Sequence, residues 1–594
     1  MNFHNYKITD SKCTVKQESK TKDEYTLLSN FYAEIKKEIT IRDGITEKCQ
    51  MVIVGGNEKR SFKEITIPSE QFASLSWVMK HWGANAVISP EAGTPADLRT
   101  AIQLMSTDIE QVDVYQHTGW TVIDDKNVFL HCKGGISAKG FDASIVVDMP
   151  KDMSKYSLPD ITSRTIDERK ADWTNSLSLI HMCDTAKSTP LLAATYRAAI
   201  GSSDFAVHCT GKSGSFKSEV ASLMQCHFGI QMDARNLPGS WNGTANSLEA
   251  KAFRAKDCLF VVDDFIPVGS QWQVQQYQKS ADQLIRGQGN QQGRSRLTDV
   301  SSLQETMYPR GLVLSTGEDT PEGQSLRGRM LIIELSKGDV KPDKLTEAQK
   351  RRESYPRAMA GFIQWLADMK DEKTEYFRSR RIEIRDANLG VGHTRTPAMI
   401  GDLVAAAEMF LTYGESIDAI DSEDMKPLLA IFNDSIVSTA ADQTRFIEES
   451  DPAESFISVM RNVLMARTCH LKNINGGQPR KPELVGWKED RSGSVYQYSA
   501  CGSQIGWVDE EKDIILLDAD VGYETLRSKS GGRISITATT LWKRLKESDL
   551  LAQTDHTRKR NTVRVVCEGQ TRKCVILPLS KIIETDEDDD EMPF

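Results

Sequence analysis

The sequence lacks the features that define several classes of protein. None of its eleven cysteines forms a C-x-x-C pair, and His131-Cys132 and Cys469-His470 have no partners at zinc-finger spacing. This pattern predicts free, buried thiols in a reducing compartment. No apolar run approaches the about 20 residues of a membrane-spanning helix, and the polar N-terminus has no signal-peptide core. We therefore expect a cytoplasmic protein with no membrane partner.

Charge is plentiful but unevenly distributed along the chain. The 594 residues carry a formal net charge of -10, and seven acids crowd the stretch from Glu584 to Glu591. A strongly basic segment, HTRKRNTVRVVCEGQTRK, stands just upstream of them. Such a split is typical of a nucleic-acid-binding surface beside a separate acidic tail.

Length and periodicity predict a multidomain α/β protein. In the central part, apolar strands alternate with helices, which predicts a parallel sheet with flanking helices. A linker is expected around Pro150–Pro159. The predicted divisions are a disordered N-terminus (1–25), an α+β N-terminal domain (26–150), a P-loop nucleotide-binding core (165–340), a helical lid or connector (341–465), a winged-helix-like DNA-binding domain (466–580) and an acidic C-terminal tail (581–594).

The segment GKSGSFKS nearly matches the phosphate-binding pattern G-x-x-x-x-G-K-[ST], with Phe216 in place of the second glycine. An apolar stretch precedes it and a helical pattern follows, as such a loop requires. Lys217 is expected to reach the β- and γ-phosphates of ATP, and Ser218 to bind Mg²⁺. Phe216 suits the loop only if its backbone tolerates a side chain and its ring points away from the phosphates. The candidate ATP-binding residues are Gly211, Lys212, Ser213, Gly214, Ser215, Phe216, Lys217 and Ser218.

Two further apolar strands end in polar residues that suit ATP hydrolysis. CLFVVDDF ends in Asp263, expected to hold Mg²⁺ through water, and Asp264, expected to orient or deprotonate the attacking water. RGLVLSTGED ends in Ser315 and Thr316, where a polar side chain suits sensing of the γ-phosphate between the two catalytic strands. The alternative is a pair of buried strands that end in surface acids and in a turn.

Three arginines are candidates for contact with the phosphoryl group that is transferred. Arg327 and Arg329 precede the strand MLIIEL, and an arginine there can project into a neighbouring subunit's nucleotide. Their two-residue spacing on an extended segment predicts a shared face. Arg395 stands at the start of an amphipathic helix and suits a phosphate sensor in a helical lid. Solvated surface arginines and simple helix-start chemistry explain the same patterns.

Two basic regions are candidates for contact with DNA. Arg286, Arg294 and Arg296 lie in or beside a Gly/Gln-rich stretch between the catalytic strands, where they would grip phosphates without reading sequence. Farther on, the amphipathic helix ITATTLWKRLKESDLL and the basic segment after it have the outline of a winged helix. An exposed loop and a protein-binding winged helix are the alternatives. The candidate contacts in the second region are Arg558, Lys559, Arg560 and Arg564.

The order of the motifs HTGW, GKSGSFKS, SWNGTANSLE, VVDDF, GQGNQQGRSR and LSTGE resembles a family once labelled only as a domain of unknown function. Its members include the MCM-like AAA+ replicative helicases of mobile elements, and the resemblance runs from about Tyr25 to about Lys581. It implies a central AAA+ ATPase in a self-loading hexameric ring, which unwinds single-stranded or forked DNA with ATP and Mg²⁺ to start replication of a mobile element, phage or plasmid. It also implies that Arg327 or Arg329 acts across the subunit interface, that Arg395 is the lid arginine, and that a hairpin before the sensor strand points into the central channel.

The acidic tail ends in Met592, Pro593 and Phe594 and resembles the C-terminal tip of bacterial single-stranded-DNA-binding proteins. In such tips, the Phe ring and the terminal carboxylate enter a basic-rimmed pocket on replication and repair enzymes. The tail therefore predicts recruitment of a host replication or repair protein, with an acidic solubilising tail as the alternative. Two other functions stay open for the whole chain. One is a non-helicase AAA+ regulatory or defence ATPase switch, and the other is a DNA-binding replication protein whose ATPase has decayed.

Overall fold

The structure is a computed structural model that describes residues 5–18, 24–293, 296–297, 303–304, 306–448, 451–492, 495–531, 534, 536–555 and 557–583. Within these ranges, no helix is both long and apolar enough to cross a membrane. Some predicted contacts lie outside the described residues, namely Arg294, Met592, Pro593 and Phe594. For Arg296, only the backbone is described.

The N-terminal part is built mainly from strands. They are β1 (Tyr6–Ile8), β2 (Thr14–Gln17), β3 (Tyr25–Ser29), β4 (Tyr32–Arg42), β5 (Glu47–Asn57), β6 (Arg60–Ser61), β7 (Ile65–Pro68), β8 (Glu110–Tyr115), β9 (Gly119–Ile123), β10 (Lys126–His131), β11 (Gly134–Ser137), β12 (Gly140–Asp142) and β13 (Val146–Val147). The helices of this part are α1 (Ser69–Phe72) and α2 (Thr94–Met105).

These strands form three sheets, as an α+β domain requires. β1, β2 and β3 form a small antiparallel sheet, β9 to β12 form a four-stranded meander, and the largest sheet has the order β13-β8-β4-β5-β6, with β7 also paired to β5. Helix α2 buries Leu98, Ala101 and Ile102, whose spacing of three and four places them on one face. That face covers the sheet next to Phe31 and Ile35.

The first residues differ from the disordered segment that the sequence predicts. β1 and β2 pair as an antiparallel ladder, and Thr14 is buried with its hydroxyl donating to the carbonyl of Phe31 at 2.7 Å. The expected linker around Pro150–Pro159 is likewise packed, because Met153, Tyr156 and Leu158 are all buried. In both places polar composition hides long-range partners, and a local pattern cannot reveal them.

The central part alternates strands and helices. Its elements are α3 (Ile166–Leu177), α4 (Thr185–Ile200), β14 (Ala206–Thr210), α5 (Lys217–Gln225), β15 (Gly239–Ser240), α6 (Ala245–Arg254), β16 (Leu259–Phe265), α7 (Gln271–Asn290), β17 (Arg296–Leu297), β18 (Leu303–Gln304), β19 (Leu312–Gly317), α8 (Gln324–Arg327) and β20 (Met330–Glu334). Five of the strands form a wholly parallel sheet in the order β15-β16-β19-β14-β20. The carboxyl ends of β14, β16 and β19 therefore meet at one edge.

Helices follow the central sheet: α9 (Pro342–Lys350), α10 (Ser354–Ala367), α11 (Lys370–Ala387), α12 (Thr396–Ser416), α13 (Ser422–Ala441), α14 (Gln443–Glu448) and α15 (Pro452–Met465). The helices from α9 to α14 share one hydrophobic core with the parallel sheet. Helix α12 is buried on most of its sides, and is not the one-sided amphipathic helix that was predicted. Helix α15 packs instead into the core of the C-terminal part, so the boundary predicted at 465 falls one helix late.

The C-terminal part contains β21 (Cys469–Asn473), β22 (Trp487–Ser492), β23 (Val495–Ala500), β24 (Ser503–Asp509), β25 (Ile514–Asp518), α16 (Val521–Lys529), α17 (Ala538–Glu547), β26 (Val563–Cys567), β27 (Gln570–Pro578) and α18 (Leu579–Ile582). The predicted succession of helix, helix and hairpin is present as α16, α17 and β26–β27. The hairpin is not a free wing, however, because β27 also pairs with β25 in a five-stranded sheet of order β21-β24-β25-β27-β26.

The HTGW segment attaches the N-terminal sheets to the central part. The Thr118 hydroxyl donates to the carbonyl of Lys256 at 2.9 Å, and the backbone amide of Trp120 donates to the Asp257 carboxylate at 2.9 Å. From the other side, Arg310 donates to the carbonyl of Asp43 at 2.8 Å. Because Arg310 stands just before β19, the N-terminal part is bonded directly to a strand that reaches the candidate site.

Candidate functional site

The candidate phosphate loop connects β14 to α5 at the carboxyl edge of the parallel sheet. Gly211 adopts a φ of 152°, and a Cβ atom placed there would lie 2.1 Å from the carbonyl oxygen of Leu335. No side chain fits that gap, so only glycine lets the loop pass so close to the end of β20. The backbone therefore has the tight turn that the sequence predicts for this loop.

Phe216 occupies the left-handed conformation that glycine usually takes at this point of a phosphate loop. Its φ is 63° and its ψ is 21°, and its side chain is 43% exposed. The backbone geometry of the loop is thus retained at a strain cost of about 1–2 kcal/mol, and the residue is partly exposed to solvent. Phe216 makes no side-chain cap for α5, so the first backbone N–H groups of this helix are left for an anion.

Lys217 is buried, and its ammonium group folds back onto the loop. It donates to the carbonyl oxygens of Gly211 at 2.7 Å and Lys212 at 3.0 Å. Burial lowers the pKa of Lys217, while the carboxylates of Glu318, Asp263 and Asp264 oppose that shift. A triphosphate would offer the ammonium group stronger acceptors than these neutral carbonyls.

Asp263, on β16, is bonded to residues of both α5 and β19. Ser218 Oγ donates to Asp263 Oδ1 at 2.8 Å, and Thr316 Oγ1 donates to the same oxygen. β19 lies between β14 and β16, so Thr316 stands between the loop and the acid pair, where the sequence predicts a γ-phosphate sensor.

These residues suit a magnesium ion that arrives with a nucleotide. Within the described residues, no group of three or more His, Cys, Asp and Glu side chains forms a metal site. A nucleotide-bound Mg²⁺ needs no such group, because it keeps several waters and takes one or two protein oxygens beside the phosphates. Ser218 and Asp263 present one hydroxyl and one carboxylate at bonding distance from each other, which fits that requirement.

Asp264 projects differently from Asp263 because the end of β16 is irregular. The pairing of β16 with β19 shifts between Val262 and Phe265, and Asp264 adopts a φ of 72° with an exposed side chain. Burial, and next the charge of Asp263, raise the pKa of Asp264 above its ordinary value. A raised pKa brings a carboxylate closer to the range in which it can accept a proton from water.

Sequence reasoning missed three residues beside this network. Glu318 follows β19, and its charge bears on both Lys217 and Asp264. His208 and Trp241 both bond to Ser315 Oγ at 2.9 Å, so Ser315 is fully buried and is not available to a nucleotide. Glu318, the acid in LSTGE, could have been found from the sequence. The bonds of His208 and Trp241 to Ser315 could not, because they join residues that are far apart in the chain.

Arg327 and Arg329 do not share a face, contrary to prediction, because α8 is a helical turn and not an extended segment. Arg327 donates to the carbonyls of Pro321 at 3.1 Å and Phe446 at 2.7 Å, which ties it to its own chain. Arg329 donates to Asn290 Oδ1 at 3.0 Å and to the Ser325 carbonyl at 2.6 Å. The two arginines therefore point to different neighbours.

Arg329 lies far from the phosphate loop of its own chain. Its carbonyl accepts from the amide of Ala206, the first residue of β14, whereas the loop follows Thr210 at the other end of that strand. At about 3.3 Å per residue, the two ends of β14 are about 13 Å apart. Arg329 therefore cannot serve this loop without a large rearrangement.

Arg286, Arg329 and Arg395 form one basic cluster, although the sequence assigned them three different roles. Burial, and next the charges of Arg395 and Arg286, lower the pKa of Arg329. Arg286 lies on α7 and not in a loop, and it pairs with Asp282 at 2.5 Å. Arg395 precedes the first residue of α12, as predicted.

The two predicted DNA-contact regions differ in how far the structure describes them. A short antiparallel pair, β17 with β18, stands between α7 and β19, where a channel hairpin was expected. In the C-terminal part, Arg558, Lys559, Arg560 and Arg564 are all exposed. In the described portion of the chain, none of these four side chains is seen in an ion pair, which leaves their charge available to phosphates.

Comparison with known proteins places this geometry among related folds. Residues 6–299 match the family model described as "Domain of unknown function (DUF927)". That range covers the N-terminal sheets, the phosphate loop and both acids of β16. No curated protein matches the chain.

Among solved structures, the chain is similar to one named "SCCmec type IV Cch - active helicase". The two chains are 14% identical, with a TM-score of 0.51 over 98% of this chain and 99% of that one. At this identity the similarity shows a shared fold across almost the whole length, including a mixed α/β architecture with a parallel sheet.

Proposed function

We propose that the chain is an ATP-driven DNA helicase of the AAA+ type, which works as a hexameric ring in the replication of a mobile element, phage or plasmid. The observation that carries the proposal is the meeting of the phosphate loop, Asp263 and Thr316 at one edge of a parallel sheet. The whole-length similarity to a chain named as an active helicase supports the same conclusion.

The ATP site is proposed to work through charge and position. Lys217 exchanges the carbonyls of Gly211 and Lys212 for the β- and γ-phosphates. Ser218 and Asp263 would hold Mg²⁺, which would supply positive charge against the phosphates. Thr316 would contact the γ-phosphate, and its hydrogen bond to Asp263 would change with the presence of that phosphate. Asp264 would orient the attacking water or accept its proton.

The ring is proposed because Arg329, a candidate for contact with the transferred phosphoryl group, lies away from the loop of its own chain. Arg329 lies about one strand length from the loop of its own chain. In the part of the chain that the structure describes, the cluster that it forms with Arg286 and Arg395 shows one ion pair, between Arg286 and Asp282. An adjacent subunit that placed its nucleotide at this cluster would find the positive charge that stabilises a transferring phosphoryl group. Arg327, which is held by two carbonyls of its own chain, suits a structural role instead.

DNA binding is proposed at two places, the β17–β18 hairpin and the basic segment of the C-terminal part. The exposed arginines of the C-terminal segment can neutralise phosphates, and the counterions that DNA then releases favour binding. The acidic tail, which ends in Phe594, is proposed to recruit a host replication or repair protein. Removing Phe594 should abolish that capture, and unchanged capture would contradict this part of the proposal.

ATP hydrolysis with and without single-stranded DNA tests the proposed function. The variants are Lys217→Ala and, as a matched control, Lys344→Ala, which removes an exposed lysine on α9 that pairs with Glu347. We expect hydrolysis by the natural protein to rise on addition of DNA, to be lost in Lys217→Ala, and to persist in Lys344→Ala. Forked duplex should be unwound only by the two active proteins.

The same assay separates the rival functions. An ATP hydrolysis rate that is the same with and without DNA would contradict the proposed helicase function and favour a regulatory or defence switch. No hydrolysis by the natural protein, together with DNA binding, would favour a replication protein whose ATPase has decayed. The left-handed conformation of Phe216 supports a working loop over a decayed one, because glycine usually takes this conformation at the same point of a phosphate loop.

A further inference from the structure

A groove with a volume of about 570 Å³ lies on the surface between the segment 241–246 and helix α7. We call it the α6–α7 groove, because the segment 241–246 leads into α6. Its walls include Trp272, Tyr277 and Lys279 from α7, and Asn242 from the facing segment. The Tyr277 hydroxyl donates to Asn242 Oδ1, so the two walls are bonded to each other.

The chemistry of the groove is unusual for an acidic chain. The protein has a net charge of -10, yet the described residues that line the groove include no carboxylate and one ammonium group, that of Lys279. The other polar lining groups are mainly amides and hydroxyls. One of the amides, Gln283 Nε2, is buried without a hydrogen-bond partner in the described structure. The lining residues thus offer amide and hydroxyl groups and one positive charge, and they include no carboxylate that would repel a phosphate.

Trp272 is the most prominent feature of the groove. Its side chain is 67% exposed, although an indole of this size is usually buried. An exposed indole beside neutral amides provides a flat surface on which a nucleic-acid base can stack, and such stacking needs an unpaired base. Duplex DNA hides the faces of its bases, so this chemistry selects a single strand.

Trp241, which lines the groove, is hydrogen-bonded to both strands that carry the candidate catalytic residues. The indole N–H of Trp241 donates to Ser315 Oγ at 2.9 Å, and the backbone amide of Trp241 donates to the carbonyl of Asp263 at 3.0 Å. Ser315 precedes Thr316, the candidate sensor. A ligand that shifts the segment 241–246 would therefore act directly on the strands that carry Asp263 and Thr316.

One wall of the groove belongs to the helix that precedes the expected channel hairpin in the chain. Helix α7 ends at Asn290, and the short antiparallel pair β17–β18 follows it in sequence.

We propose that the α6–α7 groove binds single-stranded DNA, with one base stacked on Trp272 and the adjoining phosphate near Lys279. Because Trp241 is bonded to Ser315 and Asp263, DNA bound in the groove would influence the ATP site and so couple DNA binding to ATP hydrolysis. This inference rests on the proposed helicase function, since it names the place where that enzyme senses its substrate.

Binding of a fluorescent oligo-dT to the full chain tests this site with Trp272→Ala, Trp272→Phe and Lys279→Gln. Loss of stacking should weaken binding by about 5- to 150-fold in Trp272→Ala, because stacking contributes about 1–3 kcal/mol per base. Trp272→Phe should retain part of the affinity. Met465→Ala, which removes a 78% exposed side chain at the end of α15, is the control and should bind like the natural protein.

Two readouts separate stacking from a merely structural role. Trp272→Ala should leave the slope of log affinity against log salt unchanged, whereas Lys279→Gln should reduce it by about 0.7, the value for one single-strand phosphate contact. Oligo-dT should also quench the tryptophan fluorescence of the natural protein more strongly than that of Trp272→Phe.

The possible results are distinguishable. Unchanged affinity in Trp272→Ala would overturn the inference while leaving the helicase intact. Affinity lost together with ring assembly would also overturn it, because the groove would then be a contact between subunits. If the natural protein failed to bind oligo-dT at all, both this inference and the proposed function would be rejected.

Discussion

The hydroxyl of Ser218 donates a hydrogen bond of 2.8 Å to the carboxylate of Asp263, across 45 residues of sequence. This bond joins the first turn of α5 to the end of β16, and Thr316 donates to the same oxygen from β19. A hydroxyl and a carboxylate held together in this way need little movement to accept a magnesium ion between them. The pair therefore carries the metal-binding part of the account.

Removing the hydroxyl tests that pair. Ser218→Ala should lower Mg²⁺-dependent ATP hydrolysis by about 10- to 100-fold, because an interaction with a charged group contributes about 1.5–3 kcal/mol. The rate should be measured across a magnesium titration. Ser222→Ala is the control, since its hydroxyl lies one turn later on α5 and donates only to the carbonyl of Glu219. Equal rates in the two variants would argue against Ser218 as a metal ligand.

Phe216 offers a test of backbone strain. Phe216→Gly should keep ATP binding and raise or preserve the hydrolysis rate, because glycine adopts a φ of 63° without the cost of about 1–2 kcal/mol that a side chain incurs. Phe216→Val should weaken ATP binding, because β-branched residues tolerate this region least. Titration calorimetry with an ATP analogue compares them. Loss of binding in Phe216→Gly would show that the phenyl ring itself contacts the nucleotide.

Arg329 should act on a neighbouring subunit. Arg329→Ala should retain ATP binding but lose about 10³-fold or more in the hydrolysis rate, as removal of an arginine finger does. Arg378→Ala is the control, because Arg378 is an exposed residue of α11 that pairs with Glu375. Rings mixed from Arg329→Ala and Lys217→Ala chains should regain partial hydrolysis. At some of their interfaces, the intact loop of an Arg329→Ala chain would face the intact Arg329 of a Lys217→Ala chain. No recovery in any mixture would oppose the shared site.

Buried neutral histidines predict a stability that falls in acid. Burial lowers the pKa of His117, His208 and His227 to about 4 and that of His131 to about 3. The unfolded chain binds protons below about pH 6.5 that these folded histidines exclude. Stability should therefore be complete above pH 6.5 and fall as the pH drops toward 4, by about 1.4 kcal/mol per pH unit for each histidine.

Denaturant unfolding at pH 7.5, 6.0 and 5.0 measures this effect. The midpoint should move steadily to lower denaturant concentration as the pH falls. A midpoint that stays constant between pH 7.5 and 5.0 would show that these histidines are already protonated or that they are not buried.

The C-terminal basic segment predicts a salt-dependent contact with duplex DNA. Arg564→Ala should weaken binding about equally for all sequences and reduce the slope of log affinity against log salt by about 0.9, the value for one phosphate of B-DNA. Arg480→Ala is the control in the same part of the chain, since it is exposed but pairs with Glu511. If the slope of log affinity against log salt were the same in both variants, Arg564 would not contact a DNA phosphate.

Much of the central site could be predicted because its signals are local. An apolar strand followed by glycines, Lys217 and Ser218, and a second strand ending in Asp263, together indicate a parallel edge. The roles of Arg327 and Arg329 could not be separated, because α8 turns where the pattern suggests an extended segment. Nor could the bonds of Ser315 to His208 and Trp241 be foreseen, since three strands that are distant in sequence meet there.

The outer parts of the fold were harder to predict for a related reason. The polar N-terminus hides paired strands, because Thr14 of β2 is buried and bonded to Phe31, which lies between β3 and β4. Helix α15 belongs to the C-terminal core because its apolar face packs against Trp542 of α17. Sequence periodicity predicts that a helix has an apolar face, but it does not predict which element packs against that face.

Electron cryomicroscopy of the full chain with Mg²⁺ and a non-hydrolysable ATP analogue would show the proposed site itself. We expect a ring in which a triphosphate occupies the loop 211–218, with Lys217 moved away from the carbonyl of Gly211 and Arg329 of a neighbouring subunit facing the γ-phosphate. A loop that stays empty at saturating analogue, or one filled by the ring of Phe216, would contradict this expectation.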